Sequence, residues 1–298
     1  MRSLIRRYRA TCYFALAFAI SWGGIFAVVR GGAFPAPPEE AHRLFALVYF
    51  AMLAGPALAG LAMTVLVDGM SGLRDYRARL LKWRVAPVWY AVALLTAPLA
   101  LLLTWTALSA FSADFAPALL GSGTIDPAGP VQADNVKSFL LLAVAVGIGA
   151  GFFEELGWTG FAIPTLLPRL TTLSTGLIVG LLWGAWHFLA VWWGSANAFA
   201  SVPVPFFLLV ALFSFLPPYR VLMIRVYERT GSLLVGILMH ASLTASMIIF
   251  GPSIKGAQSI VYNLAFATTL WAIAAAVLAS DRMRRPVPRH SASHARVA

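Results

Sequence analysis

Four side chains stand out by where they sit. Of eleven acidic residues, only Glu154 and Glu155 fall well inside an apolar run; the other nine lie in connecting stretches or at run ends. Of five histidines, only His187 and His240 lie inside such runs. A charge at the centre of a bilayer costs about 2.5–3.5 kcal/mol on insertion scales, so two ionised carboxylates side by side would cost roughly twice that. Residues kept there at such a cost face a protein interior or a wet cavity, and their default reading is functional. A carboxylate beside imidazole in a wet, low-dielectric cavity can activate water. Two imidazoles can hold or polarise a carbonyl and stabilise the oxyanion that forms from it. Glu154, His187 and His240 can equally ligate a divalent metal such as zinc, with a position left for water. From the residues alone the cofactor is open between such a metal and none. His-Glu-x-x-His, Gly-x-Ser-x-Gly and the phosphate-binding loop are all absent.

These residues have to be positioned by membrane helices. The 298-residue chain is 60% hydrophobic and 11% charged, where soluble domains carry about 25% charged residues. Mean hydropathy is +0.81. A soluble enzyme, a disordered chain and a disulfide-stapled secreted domain are excluded, the last because Cys12 is the single cysteine. Eight runs are long enough to span a bilayer as helices: 11–29, 44–67, 88–111, 138–167, 174–193, 203–224, 231–251 and 258–280. Each must be helical, because lipid satisfies no free backbone group. Pro164 and Pro168 are expected to break or kink the end of the fourth run, and Pro217-Pro218 to end the sixth. The first run is read as an uncleaved helix, since it exceeds the apolar core of a signal peptide.

The net charge of +11 would suggest nucleic acid in a soluble chain. Here its placement points to a membrane. With the N-terminus inside, 18 basic residues fall in inside segments and 4 (Arg30, Arg43, Lys137 and Lys255) outside. This is the positive-inside pattern, with both termini cytoplasmic. The expected partners are therefore the bilayer and a peptide or protein substrate, with no nucleic acid. The expected location is a plasma membrane of bacterial type, crossed many times.

The chain divides into residues 1–137, with the first three spans and a basic cytoplasmic link at 68–87; a core at 138–250; a last helix at 251–280; and a basic tail at 281–298. In the link, Leu73, Tyr76, Leu80, Leu81 and Val85 recur among Arg and Lys at helical spacing. That suggests a short amphipathic helix on the inner leaflet. The tail histidines, His290 and His294, carry little weight as ligands.

Small residues mark the faces that carry the polar groups. Gly147, Gly151 and Glu154 share one helical face, as do Gly180, Gly184 and His187, and then Gly236, His240 and Thr244. Small residues at this spacing let membrane helices approach closely. Counted from the run ends at 1.5 Å per residue, Glu154 and His187 lie roughly 20 Å from the cytoplasmic side and His240 roughly 14 Å. An acid pair and two imidazoles thus reach similar depth on three helices.

The segments Glu154-Glu155-Leu156-Gly157-Trp158-Thr159-Gly160-Phe161, Trp183-Gly184-Ala185-Trp186-His187 and His240-Ala241-Ser242-Leu243-Thr244 resemble the CAAX protease and bacteriocin-processing family. That family includes the Ras-converting prenyl protease. The resemblance covers roughly residues 138–250. It implies an intramembrane endopeptidase, described in the family as either a metalloprotease or a glutamate-dependent protease, with its site open to the cytoplasm. By resemblance, Glu154 is the base that activates water, with His187 assisting. Glu155 belongs to the same motif. His240, helped by Thr244 one turn on, polarises the scissile carbonyl. Three positions depart from the family pattern. Thr159 replaces Arg, so Glu155 lacks its expected cation and is either protonated or bonded to Thr159 or another partner. Thr244 replaces Asn, and Trp183 replaces Phe. The alternatives are a non-catalytic membrane chaperone or immunity scaffold, and a proton-coupled transporter.

Overall fold

The computed structural model describes residues 2–115, 135–195, 199–251 and 254–284. Most of the expected outer loop at 112–137, and His290 and His294 in the tail, lie outside them. The described residues are helical, with no strand. In order the helices are α1 (Arg2–Arg7), α2 (Arg9–Val29), α3 (Pro38–Leu80), α4 (Pro87–Ser109), α5 (Val136–Gly157), α6 (Ile163–Leu166), α7 (Thr172–Gly194), α8 (Val204–Phe213), α9 (Leu216–Thr230), α10 (Leu233–Ile249) and α11 (Ala257–Arg284). Among the described residues, seven helices or continuous helical stretches are long and apolar enough to cross a membrane. The remaining run, the seventh at 231–251, becomes α10, with 17 residues. That is roughly 25 Å of helix, against a hydrocarbon core about 30 Å thick. The chain is thus an all-helical, polytopic membrane protein. Phe50, Leu58, Leu99, Leu103, Leu141 and Ile148 are exposed around the bundle, as a lipid-facing surface requires.

Local chemistry fixes where the functional helices begin. The side chains of Asn135, Thr171 and Ser232 accept hydrogen bonds from the backbone N–H of Ser138, Ser174 and Val235 at 3.0, 3.1 and 3.2 Å. These caps start α5, α7 and α10. Gly231, with φ 59°, ends α9, where a left-handed backbone favours glycine.

Two breaks differ in detail from the sequence expectation. The fourth run does not wait for Pro164 to break. Residues Trp158–Ala162 form a single wider turn, in which the Ile163 N–H bonds the Trp158 carbonyl. Pro164 has no N–H to offer the Gly160 carbonyl one turn back, so the helix widens just before it. The second break lies in α3. It bends at Gly69, with φ 66° and ψ −152°, a backbone open to glycine alone at little cost. Residues 70–80 then run on as the helix expected in the basic link. Its apolar side packs on protein: Tyr76 is buried and donates to the Leu156 carbonyl at 2.6 Å. Tyr76 clusters there with Ala57, Leu156, Leu233 and Ile237.

The small-residue faces do bring helices together. A methyl group on Gly147 would come within 2.5 Å of the Ala241 carbonyl oxygen, and one on Gly151 within 2.5 Å of that of Ile237. Both neighbours are α10 backbone, which cannot swing aside. Gly151→Val should therefore push α5 off α10 and destabilise the protein by about 1–3 kcal/mol, the usual cost of overpacking. Thermal unfolding in detergent reads this, with the exposed Leu141→Val as the control that leaves the midpoint in place.

Candidate active site

Four helices converge on the acid pair. Glu154 and Glu155 end α5, and both are buried, at 2% and 0% exposure. They project into different surroundings, because consecutive residues on a helix point about 100° apart. Glu154 faces α7. Its Oε2 accepts from the indole N–H of Trp183 at 2.6 Å and of Trp158 at 3.4 Å. Its Oε1 lies 3.8 Å from Nε2 of His240. Trp183, the aromatic departure from the family pattern, thus does something phenylalanine cannot: it donates a hydrogen bond to the carboxylate.

Glu155 faces α9 and α10. Its Oε1 meets Nδ1 of His240 at 2.7 Å. The Thr159 hydroxyl, one turn on, donates to its Oε2. Nη1 of Arg220, on α9, lies 2.8 Å from both carboxylate oxygens. The guanidinium carbon of Arg220 sits 4.1 Å from the centre of the Trp183 ring, within cation–π range. Glu155 therefore has a cation, supplied from another helix rather than from position 159. This corrects the expectation that it lacks one. It also corrects the charge count: Arg220 is fully buried and is no topology anchor, which leaves 17 inside basic residues against 4 outside. The available signal was its place in Pro218-Tyr219-Arg220-Val221-Leu222, an arginine bordered by apolar residues.

The histidines are oriented by their Nδ1 atoms. Nδ1 of His187 lies 2.8 Å from the Trp183 carbonyl. A carbonyl only accepts, so Nδ1 carries the proton and the neutral ring keeps its lone pair on Nε2. Against the ionised Glu155, Nδ1 of His240 is likewise the donor. The rings of Trp183 and His240 meet edge to face, with centroids 5.0 Å apart. Those of Trp183 and His187 do so at 5.5 Å.

A cavity of about 550 Å³ meets this cluster. Trp183, His187, His240 and Thr244 line it, along with many apolar side chains. The structure thus gathers Glu154, Glu155, Thr159, Trp183 and His240 by direct contact. It joins His187 to them through Trp183, and sets Thr244 on the cavity wall. Among the described residues no group of three or more His, Cys, Asp or Glu side chains is arranged to hold a metal ion. Two indoles hold one oxygen of Glu154, and Glu155 holds Nδ1 of His240, which leaves Oε1 of Glu154 and Nε2 of each histidine to face water or a metal.

Residues 136–246 match the family model for "Type II CAAX prenyl endopeptidase Rce1-like". A curated relative, CAAX prenyl protease 2 from Methanococcus maripaludis, is 40% identical over 50 residues, or 17% of this chain and 16% of the relative. The matched stretch is thus about one sixth of that relative's length. The segment that supplies both glutamates, both histidines and Arg220 is accordingly an Rce1-like one, of the CAAX protease and bacteriocin-processing family.

Proposed function

We propose that the protein is an intramembrane endopeptidase that hydrolyses a peptide bond with water activated by Glu154. The observation that carries this reading is the 3.8 Å gap between Oε1 of Glu154 and Nε2 of His240, beside a cavity that His187 also lines. Glu154 takes a proton from the water as its oxygen attacks the scissile carbonyl carbon. The Nε2 lone pair of His187 accepts the water's other hydrogen and helps aim it. The carbonyl oxygen becomes an oxyanion, and protonated His240 donates to it from Nε2 while its Nδ1 stays on Glu155. Glu154 then returns its proton to the leaving amine as the carbon–nitrogen bond breaks. Glu155 and Arg220 touch no reacting atom. They are positioning residues: Glu155 holds the His240 ring through Nδ1, and Arg220 holds Glu155.

The Rce1-like segment supports a peptidase over a transporter or a scaffold. The test is cleavage of a peptide library by purified protein, with Glu154→Ala and His187→Ala beside wild type. Both variants are expected to lose turnover, and cleavage by both at the wild-type rate would end the proposal.

A further inference from the structure

The two groups that would share the attacking water are tied to one residue. Trp183 sits at the middle of α7 and is buried. Through its side chain it reaches α5, where the indole N–H donates to Oε2 of Glu154 at 2.6 Å. Through its backbone it reaches one turn along α7, where its carbonyl accepts from Nδ1 of His187 at 2.8 Å. A single residue therefore sets both the lie of the Glu154 carboxylate and the direction in which Nε2 of His187 points.

Glu154 leans on these donors because the nearby cation is committed elsewhere: Nη1 of Arg220 holds both oxygens of Glu155 at 2.8 Å. Among the described residues, the hydrogen bonds to Glu154 come from two neutral indoles, and both go to Oε2. The two are unequal. The Trp158 contact, at 3.4 Å, is longer than an ordinary N–H···O bond, whereas that of Trp183 is short. Trp158 also lies on the same helical run as Glu154, four positions on, so it cannot relate Glu154 to α7. Trp183 can, and its own place is fixed. A methyl group on Gly180 would come within 2.5 Å of the Pro217 Cα, and one on Gly184 within 2.5 Å of the Leu212 carbonyl oxygen. On this side α7 is seated on the backbone of α8 and α9, and close-packed elements do not slide past one another freely.

We infer that Trp183 is a positioning residue that acts through its indole N–H. By holding Oε2 of Glu154 it leaves Oε1 as the one oxygen free to take the water's proton, and it keeps that oxygen in register with Nε2 of His187. The role rests on the proteolytic reading. The ring of Trp183 also meets the edges of His187 and His240 and the guanidinium of Arg220. A phenyl ring could make those contacts too. The N–H is what the phenylalanine of the family pattern lacks, so this chain has come to depend on a bond that the pattern does not contain.

The test replaces Trp183 in the full-length chain by benzothienylalanine, which keeps the fused rings and carries sulfur in place of the N–H. Steady-state cleavage of a peptide picked from the library is measured well below the unfolding midpoint. The kcat should fall by about 10- to 100-fold, the scale of a small misplacement of reacting groups, with KM nearly unchanged. Trp183→Phe lacks the N–H as well and should fall at least as far. The same analogue at Trp158 should give a smaller fall, and at Trp83, which is exposed, none. Infrared difference spectra of native against analogue protein, which need no turnover, should show one carboxylate band displaced. A lower unfolding midpoint with kcat unchanged would leave Trp183 with packing alone and overturn the inference. So would an equal fall at Trp158, or no displaced band. A native protein that cleaves nothing ends the peptidase reading and this role with it, whereas native cleavage that the analogue at Trp183 does not alter ends this role only.

Discussion

Glu154→Gln should lower peptide cleavage by about 10²–10⁴-fold, the range for loss of a positioned general base, while leaving the fold intact. The amide has the shape of the carboxylate. Its one oxygen can still accept from the indoles of Trp183 and Trp158, which lie 2.6 and 3.4 Å from Oε2 in the native protein. The amide nitrogen then occupies the position facing His240, and it cannot take a proton from water. Because the lost interaction exists mainly in the transition state, the fall should appear in kcat with KM nearly unchanged. Steady-state cleavage of a reporter peptide measures this, and thermal unfolding in detergent measures the fold. A lower unfolding midpoint with undiminished turnover would mean that Glu154 only joins helices.

Arg220→Met should be costly in a different way. It leaves Glu155 fully buried without its cation, and breaking a buried ion pair from one side costs about 3–5 kcal/mol. His240 loses the ionised partner that fixes its ring, so kcat should fall along with the unfolding midpoint. Arg220→Lys should be much milder. The contact is made through Nη1 alone, which reaches both carboxylate oxygens at 2.8 Å, while Nε and Nη2 are buried without a hydrogen-bond partner. A single ammonium can reproduce that geometry. Thr159→Arg in the Arg220→Met background returns a cation one turn from Glu155, where the family pattern has it. Recovery of kcat in this double variant assigns Arg220 to charge positioning. Recovery of the midpoint alone would leave it with packing only.

The architecture is legible because lipid leaves few choices. A run such as 174–193 has no water to satisfy its backbone, so it must be helical, and the structure makes it α7. The same reasoning singles out Glu154, Glu155, His187 and His240, since polar groups in such runs are too costly to be idle. The glycine faces place those groups against other helices, and Gly147 and Gly151 do meet α10. Arg220 escaped because a charge near a helix end reads as an anchor. Trp183 reads in the sequence as one aromatic in place of another, since nothing local shows that its N–H reaches a carboxylate 29 positions away.

The chain's composition and run lengths determined by themselves that the protein is a helical membrane bundle with an acid pair and two histidines inside it, because hydrophobic length and the cost of buried charge are local properties. Only the tertiary structure decided that Glu155 is neutralised by a residue 65 positions away and that the indole N–H of Trp183 reaches Glu154 from another helix. Both depend on how helices pack side by side, and helical periodicity, repeating every few residues, carries no record of which helix lies next to which.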